Sequence, residues 1–487
     1  MQNPVLFGFI LLYLAFTIAI AWWASRRVKS TADFVVAGKS LPLFMASCAL
    51  FATWFGSETV MGASSEFVQN GVLGIIEDPF GAALCLLLAG LLIARPLYNR
   101  NLLTFSDFYR QRFNKTSEIV SAVVMVPSYF SWIAAQLVAL AIILQSVSGL
   151  DRSWGVLICT SMVLFYTYIG GMWSVTVTDF VQTIVIIVGL VILTVVMLMR
   201  VGGFGKMVEA APPNFFQFLP EAKPVPMIHW FAAWMTIGLG SLPQQDVFQR
   251  VMAARDLRTS LRACYISSGM YLTVAAMPLI IAFCGRILYP DALAGDTQMM
   301  LPRMVQQHFG IGMQVVFFGA LLSAVLSTCS GALLAPATVI GENLIKPLYK
   351  DLTDKQLLRI MRLSLVGVAI VTGAMAAMRN DIYELVGESS AFSLVSLFVP
   401  LIAGLYWKRA SSMGAVLSML VGLGAWFVAM WLLPDEEALA QMPDASVWLH
   451  IPAMLYGLGA SFVAMWAGSM IWPRRQEGKA DAAENYA

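Results

Sequence analysis

Long apolar runs constrain the fold of this chain more than any other feature of its sequence. A transmembrane helix needs about 20 apolar residues to cross the hydrocarbon core of a bilayer. Thirteen runs of this kind, numbered here as spans 0 to 12, lie near residues 5–25, 43–66, 74–94, 118–148, 154–172, 175–199, 228–249, 263–285, 311–344, 358–378, 383–407, 411–433 and 448–472. The first run lacks a basic segment before it and is too long for the apolar region of a signal peptide, so we expect it to remain as a helix.

The composition supports the same interpretation. Hydrophobic residues make up 59% of the 487 residues and charged residues only 12%, whereas soluble chains carry about 25% charged residues. We therefore predict an all-α polytopic membrane protein with about 13 transmembrane helices in a lipid bilayer. The net charge of +2 gives no indication of nucleic-acid binding, and none is expected.

Lys and Arg residues are distributed unequally between alternate connections. One set of connections carries 23 of the 30 basic residues, and basic residues collect on the cytoplasmic side of membrane proteins. The asymmetry predicts an N-terminus outside the cell, a cytoplasmic C-terminus, an odd number of spans and a location in the plasma (inner) membrane. No feature of the sequence indicates an oligomeric state.

Motifs of membrane-embedded enzymes are not found in the sequence, so an enzyme is not expected. There is no Walker A loop, HExxH or GxSxG motif. The six cysteines show no CxxC spacing and are interpreted as small buried side chains rather than disulfide or metal ligands. The polar tail after Trp472 is expected to be disordered.

Two spans contain residues that interrupt a helix. In span 6, the stretch TIGLGSLPQQDVFQR places Gly238, Gly240 and Pro243 in mid-membrane, and in span 1 Gly56 stands within ALFATWFGSETVMG. A simple Gly or Pro kink is a sufficient explanation for either span alone. Because spans 1 and 6 are five apart, the matched pair instead predicts two inverted repeats, spans 1–5 and spans 6–10, with a binding site at the breaks.

A few carboxylates lie at membrane depth: Glu58, Glu77, Asp78, Asp179, Asp246 and Glu388. A charge at the bilayer centre costs about 2.5–3.5 kcal/mol on insertion scales, and such groups usually face a cavity or a transport pathway. Asp179, inside the apolar run of span 5, is the least expected of them. The alternative is that some of these side chains lie at the membrane interface.

Hydroxyl side chains follow one face of span 8. Ser323, Ser327 and Ser330 are spaced i, i+4, i+7, with Thr328 beside them. One interpretation is packing, because small hydroxylated residues let membrane helices approach and bond to their own helix carbonyls. The other is a site for a monovalent cation, since hydroxyls and the free carbonyls of a broken helix supply the oxygens that a hard cation binds.

Three stretches, YTYIGGMWSVTVTDFVQ, GSLPQQDVFQRVMAAR and SAVLSTCSGALL, resemble the sodium:solute symporter family, and the resemblance extends over residues 5–470. It implies a LeuT-like fold and Na⁺-coupled symport of a small organic solute by alternating access. The implied organisation is an N-terminal helix and loop (1–42), two inverted repeats (43–200 and 201–409), two extra helices (410–472) and a cytoplasmic tail (473–487).

The family's coupling sodium lies between the break in span 1 and the hydroxyl face of span 8. By resemblance, its ligands here are the carbonyls of Ala52, Phe55 and Ala324 and the side chains of Ser327 and Thr328.

Some members of the family bind a second sodium ion. By resemblance, the corresponding positions here include Asp179, Ser327 and Ser330, but another is Gly331, which offers no side-chain oxygen and argues against a second ion. Asp179 is then expected to favour Na⁺ near the span-8 site and to guide its exit to the cytoplasm.

The solute is indicated by aromatic residues. Trp54 and Trp132 resemble residues that enclose a quaternary ammonium in the choline transporter branch, where cation–π attraction is the physical basis. That branch's third tryptophan is Gln244 here, and either ring can instead be a packing or interfacial residue. Further candidates for solute contacts are Glu58, Thr59, Glu77, Gln136 and Gln244.

We expect a small cationic or zwitterionic amine as the solute. A sugar, an amino acid or a carboxylate are alternatives within transport. From another class, the chain could be a solute sensor that binds without transporting, although the short tail argues against this. A channel is disfavoured because the breaks indicate a closed site rather than a continuous pore.

Overall fold

The computed structural model describes residues 4–100, 102–293, 295–349, 351–379, 381–434, 438–439 and 446–473. These residues form helices without a β-strand, apart from an isolated bridge between Leu41 and Ala254. The all-α class predicted from the sequence is therefore confirmed. The tail predicted to be disordered lies outside the described residues, except for Pro473.

The helices between Pro4 and Glu209 follow the predicted spans closely. Span 0 is Pro4–Ser25, span 1 is Leu43–Phe51 followed after a break by Glu58–Gly62 and Ala63–Asn70, span 2 is Ile76–Gly81, Ala82–Leu88, Ala89–Ala94 and Arg95–Tyr98, span 3 is Lys115–Ser128 and Phe130–Ser148, and spans 4 and 5 form Arg152–Val201. Shorter connecting helices are Thr31–Val36, Phe105–Arg112 and Phe204–Glu209.

The remaining helices also fall on predicted spans. Span 6 is Pro224–Gly240 and Gln245–Ala253, span 7 is Leu257–Val274 and Ala276–Leu288, span 8 is Ile311–Val339 and Ile340–Ile345, span 9 is Asp354–Met378, span 10 is Ile382–Ser393, Leu394–Phe398 and Val399–Tyr406, span 11 is Ser412–Leu432, and span 12 is Val447–His450 and Ala453–Ile471. The helix Met300–His308 lies in the connection between spans 7 and 8.

The number of membrane crossings stays a prediction. Ten helices among the described residues are long and apolar enough to cross a bilayer, or eleven if the two bent halves of span 6 count as one. Two of the ten, Glu58–Tyr98 and Arg152–Val201, each include parts of two predicted spans. At about 1.5 Å per residue, 50 residues would extend over about 75 Å if straight, far more than a hydrocarbon core of about 30 Å.

Gly171 divides the long helix Arg152–Val201 near the boundary between spans 4 and 5. Its backbone, with φ 48° and ψ −140°, lies outside the helical region, and a positive φ favours glycine. A Cβ at this position would overlap the ring of Phe34. Glycine therefore permits both the turn of the chain and the close approach of the connecting helix that carries Phe34.

Both breaks predicted from the sequence are present. Span 1 stops at Phe51 and resumes at Glu58, and span 6 stops at Gly240 and resumes at Gln245 with a bend of 51°. Pro243 lies in the second break, where it has no N–H to continue the helical hydrogen bonds. Peptide groups at such helix ends have no helical partner, so they are available to bind ligands inside the protein.

Span 8 lies in the core of the molecule. Its side chains from Phe317 to Val339 are all buried, and it packs against span 3, the Arg152–Val201 helix and span 9. Tyr13 of span 0 hydrogen-bonds to Ser323 of span 8. Spans 11 and 12 pack on each other and on span 10. The stretch of span 8 from Phe317 to Val339 is thereby kept away from the surface of the protein.

Candidate functional site

A tight turn fills the break in span 1. Gly56 donates its N–H to the Trp54 carbonyl at 2.7 Å, which ends the regular helix. The same carbonyl accepts a hydrogen bond from the Tyr271 hydroxyl at 3.1 Å, and the Thr59 hydroxyl oxygen lies 3.3 Å from it. Side chains from spans 1 and 7 therefore hold the turn in its non-helical shape.

Oxygen atoms of span 8 meet this turn. The Thr328 hydroxyl donates to the Ala52 carbonyl at 3.3 Å, and the Ser327 hydroxyl donates to the Ala324 carbonyl at 2.8 Å. Phe55 lies on the same turn, its carbonyl takes no part in these two bonds, and all five residues are fully buried. A hydroxyl that donates its proton keeps lone pairs on its oxygen, so both hydroxyls remain able to bind a cation.

The chemistry of these oxygens suits a monovalent cation better than a divalent metal. Carbonyls and hydroxyls are neutral ligands of the kind that bind Na⁺ at unwound helices. Within the described part of the chain, no group of three or more His, Cys, Asp or Glu side chains is arranged to hold a metal ion. These oxygens, called here the oxygen cluster of Ala52, Phe55, Ala324, Ser327 and Thr328, therefore suit a monovalent cation.

Gly56 connects the oxygen cluster with a set of polar side chains on spans 1 and 3. A Cβ at Gly56 would lie 2.7 Å from Oε1 of Gln136, 2.8 Å from Oε2 of Glu58 and 2.8 Å from Oγ1 of Thr328. The Thr328 hydroxyl is thus separated from the side chains of Gln136 and Glu58 by little more than the width of a methyl group.

A small buried cavity lies beside Gly56, between the two broken spans. Its walls come from spans 1, 2, 3, 6, 7 and 10, and the lining residues are Trp54, Glu58, Asp78, Trp132, Ile237, Ser241, Gln244, Tyr271, Val386 and Ser390. Three are large aromatic residues and two are acidic. No Lys, Arg or His of the described residues lines it.

The two carboxyl groups of the cavity differ in their partners. Glu58 accepts hydrogen bonds from Nε1 of Trp132 at 3.1 Å and from Nε2 of Gln136 at 2.7 Å. Asp78 accepts one from the Thr59 hydroxyl at 2.6 Å, while its Oδ1 has no hydrogen-bond partner in the described structure. The cavity therefore presents one well-bonded carboxyl and one with an oxygen left for a ligand.

The residues suggested for solute binding fall into three groups. Trp54, Glu58, Trp132 and Gln244 line the cavity. Thr59 and Gln136 lie one layer behind, where they bond to Asp78 and Glu58, and Glu77 does not line the cavity.

Several residues that line the cavity are not predicted from the sequence as solute contacts. Asp78 had been noted only as an acidic residue at membrane depth, next to Glu77. Ser241, Tyr271 and Ser390 come from three different spans, so no local spacing brings them together. The presence of a hydroxyl near a helix break is the one signal that favours Ser241, which immediately follows the end of Pro224–Gly240.

Asp179 forms a buried ion pair that the sequence did not reveal. Its Oδ2 lies 3.5 Å from Nη2 of Arg250, with side-chain exposures of 0% and 1%. Arg250 follows the predicted end of span 6 and so belongs by sequence to a basic connection, but the structure places it inside the helix Gln245–Ala253. Ser330, the other candidate for a second ion, donates its hydroxyl to the Ser327 carbonyl at 3.0 Å.

The sequence is similar to those of known membrane transporters. The sodium:solute symporter family model matches residues 34–422. The osmoregulated proline transporter OpuE of Bacillus subtilis is 27% identical over 86% of this chain and 87% of its own length. The human high-affinity choline transporter 1 is 24% identical over 85% and 75%, and the sodium/glucose cotransporter of Vibrio parahaemolyticus is 24% identical over 85% and 82%.

Solved structures confirm the fold class. A Na⁺-coupled sialic acid symporter, 19% identical, matches with a TM-score of 0.81 over 98% of this chain and 100% of its own. A nucleobase-cation-symport-1 family transporter matches with a TM-score of 0.58 at 15% identity over 94% and 99%. The LeuT-like fold expected from the sequence is therefore confirmed.

Proposed function

Since the chain belongs to the sodium:solute symporter family and is a Na⁺-coupled solute symporter, we propose that its solute is a small cationic or zwitterionic amine, moved by alternating access. Its family and fold are those of a transporter rather than an enzyme. The solute class is supported by the cavity between the broken spans.

The carrying observation is that two carboxyl groups line that cavity. Glu58 and Asp78 line it without a basic neighbour, and both side chains are at most 1% exposed. Burying negative charge without a partner is costly, and a cationic group on the solute would offset that cost. The rings of Trp54, Trp132 and Tyr271 supply faces that attract an ammonium group by about 0.5–2 kcal/mol each.

A single Na⁺ is proposed to bind between the break of span 1 and span 8. Its ligands are the carbonyls of Ala52, Phe55 and Ala324 and the hydroxyls of Ser327 and Thr328. The bond from Thr328 of span 8 to Ala52 of span 1, the bond from Ser327 to Ala324 within span 8, and the burial of all five residues support the assignment.

The proximity of the two sites offers a route for coupling. Because Thr328, Glu58 and Gln136 surround Gly56, an ion that fixes the turn of span 1 also fixes the carboxyl that faces the solute. Positive linkage between the two ligands then follows, since each prefers the same shape of the turn. We assign Thr59 and Gln136 the role of holding Asp78 and Glu58, and Glu77 a contact on the solute's path.

One ion supplies enough energy to concentrate the solute. Moving one Na⁺ through about 100 mV releases about 2.3 kcal/mol, and a tenfold gradient adds about 1.4 kcal/mol. The sum of about 3.7 kcal/mol corresponds to accumulation of several hundredfold for a neutral or zwitterionic solute. A cationic solute gains a further 2.3 kcal/mol or so from the potential itself.

The proposed organisation follows the sequence. Residues 43–200 and 201–409 are the two inverted repeats, flanked by residues 1–42 and by the extra helices in 410–472. The protein is proposed to lie in the plasma membrane, with an external N-terminus and a cytoplasmic C-terminus. The unequal distribution of basic residues supports this orientation.

The test is uptake into proteoliposomes that contain purified protein and an inside-negative K⁺ diffusion potential. We expect radiolabelled choline to accumulate when a Na⁺ salt is outside and not when sucrose of equal osmolarity replaces that salt, with weaker accumulation of proline and none of glucose. Accumulation above the external concentration distinguishes a carrier from a sensor. Na⁺-driven uptake of glucose without uptake of either amine would overturn the proposed solute class.

A further inference from the structure

Arg250 is a buried cation placed among groups that do not bond it well. Its side chain is 1% exposed, and it lies 3.5 Å from Asp179, longer than the 2.7–2.9 Å or so of a strong charge-assisted bond. Nη1 reaches only the Asp246 carbonyl, at 3.4 Å, and Nε and Nη2 have no hydrogen-bond partner in the described residues. A buried pair with so few hydrogen bonds is weak evidence of a stabilising role.

The guanidinium lies closely against span 8 at Gly331, where any side chain would displace it. A Cβ at Gly331 would overlap Nη2 of Arg250, and it would also lie 2.9 Å from both Cζ and Nη1. Gly331 stands one residue after Ser330 and four after Ser327, so the charged group lies against the stretch of helix that carries these hydroxyls. The positive charge thus lies between Asp179 on one side and span 8 on the other.

This arrangement combines a buried carboxylate, a guanidinium 3.5 Å from it, and the stretch of span 8 that carries Ser327 and Ser330. A free monovalent cation would find oxygen ligands in the same place if the guanidinium were absent. The tethered group cannot leave the protein. It therefore neutralises Asp179 throughout the cycle without adding the energy of a second ion gradient.

We propose that the Arg250 guanidinium is a tethered cation that fills a second monovalent-cation site formed by Asp179 and span 8, and so limits coupling to one Na⁺. The inference rests on the proposed sodium site between spans 1 and 8. It predicts that removing the guanidinium and adding an oxygen at residue 331 creates a site for a second ion.

The test is equilibrium binding of ²²Na⁺ to purified protein without any solute. Wild type and the conservative Arg250→Lys are expected to bind one Na⁺ per chain, and Arg250→Ala/Gly331→Ser two. Adding Asp179→Asn to the double variant is expected to return the number to one. Arg250→Ala alone shows whether a second Na⁺ binds without the added hydroxyl at residue 331. Two bound ions would mean that removing the guanidinium is sufficient, and one would mean that the hydroxyl is also needed.

Folding is checked by a second measurement on the same variants. Gly331→Ser alone is expected to lower Tm, because its side chain collides with the guanidinium, and Arg250→Ala is expected to restore it. Na⁺ should raise the Tm of the double variant more than that of wild type, since a ligand of the folded state stabilises it. If the double variant stays unfolded despite Na⁺, the proposed space for a cation is refuted.

The outcomes separate this inference from the function on which it rests. Wild type that binds no Na⁺ contradicts the proposed sodium site itself. One ion in wild type and still one in the folded double variant leaves the symporter proposal standing and overturns the tethered cation. Two ions in wild type would also overturn it, because the guanidinium would then not exclude a second ion.

Discussion

Gly56→Ala tests whether the proposed sodium and solute sites share one structural element. The added methyl would lie 2.7 or 2.8 Å from three polar atoms, those of Gln136, Glu58 and Thr328. Ordinary contacts of a Cβ begin near 3.4 Å, so each neighbour must move by about 0.6 Å. Forcing a methyl into a packed interior costs about 1–3 kcal/mol.

The expected consequence is a joint loss of affinity. If the cost falls on the shape of the turn that binds both ligands, the half-saturation constants for Na⁺ and for solute both rise, by about five- to 150-fold. The assay is uptake of choline into proteoliposomes, with Na⁺ varied at fixed choline and choline varied at fixed Na⁺. Equilibrium binding of ²²Na⁺ without solute shows the effect on the ion alone.

Gly269→Ala is the matched control. This glycine lies in span 7, and a Cβ there would meet nothing within 4 Å. Its substitution should leave both constants unchanged, while raising helix propensity to a similar extent. The reasoning is refuted if Gly56→Ala folds with a normal Tm and changes neither constant by more than about twofold, because the added methyl would then have displaced none of the three polar groups around it.

Three further substitutions test individual groups. Thr328→Val is expected to raise the half-saturation constant for Na⁺ about tenfold, which corresponds to the loss of roughly one hydrogen bond. Thr372→Val is the control, because the Thr372 hydroxyl bonds to carbonyls of its own span 9, and it should leave the constant unchanged. A Na⁺ titration of uptake compares the two variants. Glu58→Gln is expected to reduce choline uptake at least tenfold with little change in ²²Na⁺ binding, and an equal loss of both would contradict a solute role. Trp132→Phe keeps an aromatic face but loses the donor to Glu58 at 3.1 Å, so we expect the choline constant to rise about two- to tenfold; an unchanged constant would show that this bond does not position the carboxyl.

The helices and the breaks could be predicted from the sequence because their causes are local. Apolar runs of sufficient length specify membrane helices, and Gly240 and Pro243 act on the backbone of their own span. The number of crossings is less certain from such signals. Gly171 divides one apolar stretch by a change in backbone conformation, and a hydropathy pattern does not report the angle between the resulting segments.

The lining of the cavity could be predicted only in part, because it depends on which side of a span each residue faces. Glu77 and Asp78 are adjacent acidic residues, yet only Asp78 lines the cavity. Arg250 appeared to belong to a basic connection and is in fact buried beside Asp179. The contact joins span 5 to span 6 across 71 positions of the sequence, which no local pattern specifies.

The buried polar groups suggest a different task for each of three regions of the interior. Near Gly331, the positive charge of Arg250 already stands beside the negative charge of Asp179, so this region has little attraction left for a mobile cation. At the contact of spans 1 and 8 the oxygens are neutral, which favours an ion that must bind and leave in every cycle. In the cavity, Glu58 and Asp78 have no basic neighbour among the described lining residues. A cationic solute would balance the negative charge of an ionised carboxylate there. Replacing either carboxyl by its amide should therefore shift preference from cationic toward neutral solutes, and competition between choline and proline measures that shift; an unchanged ratio in both variants would mean that the carboxyls do not face the solute.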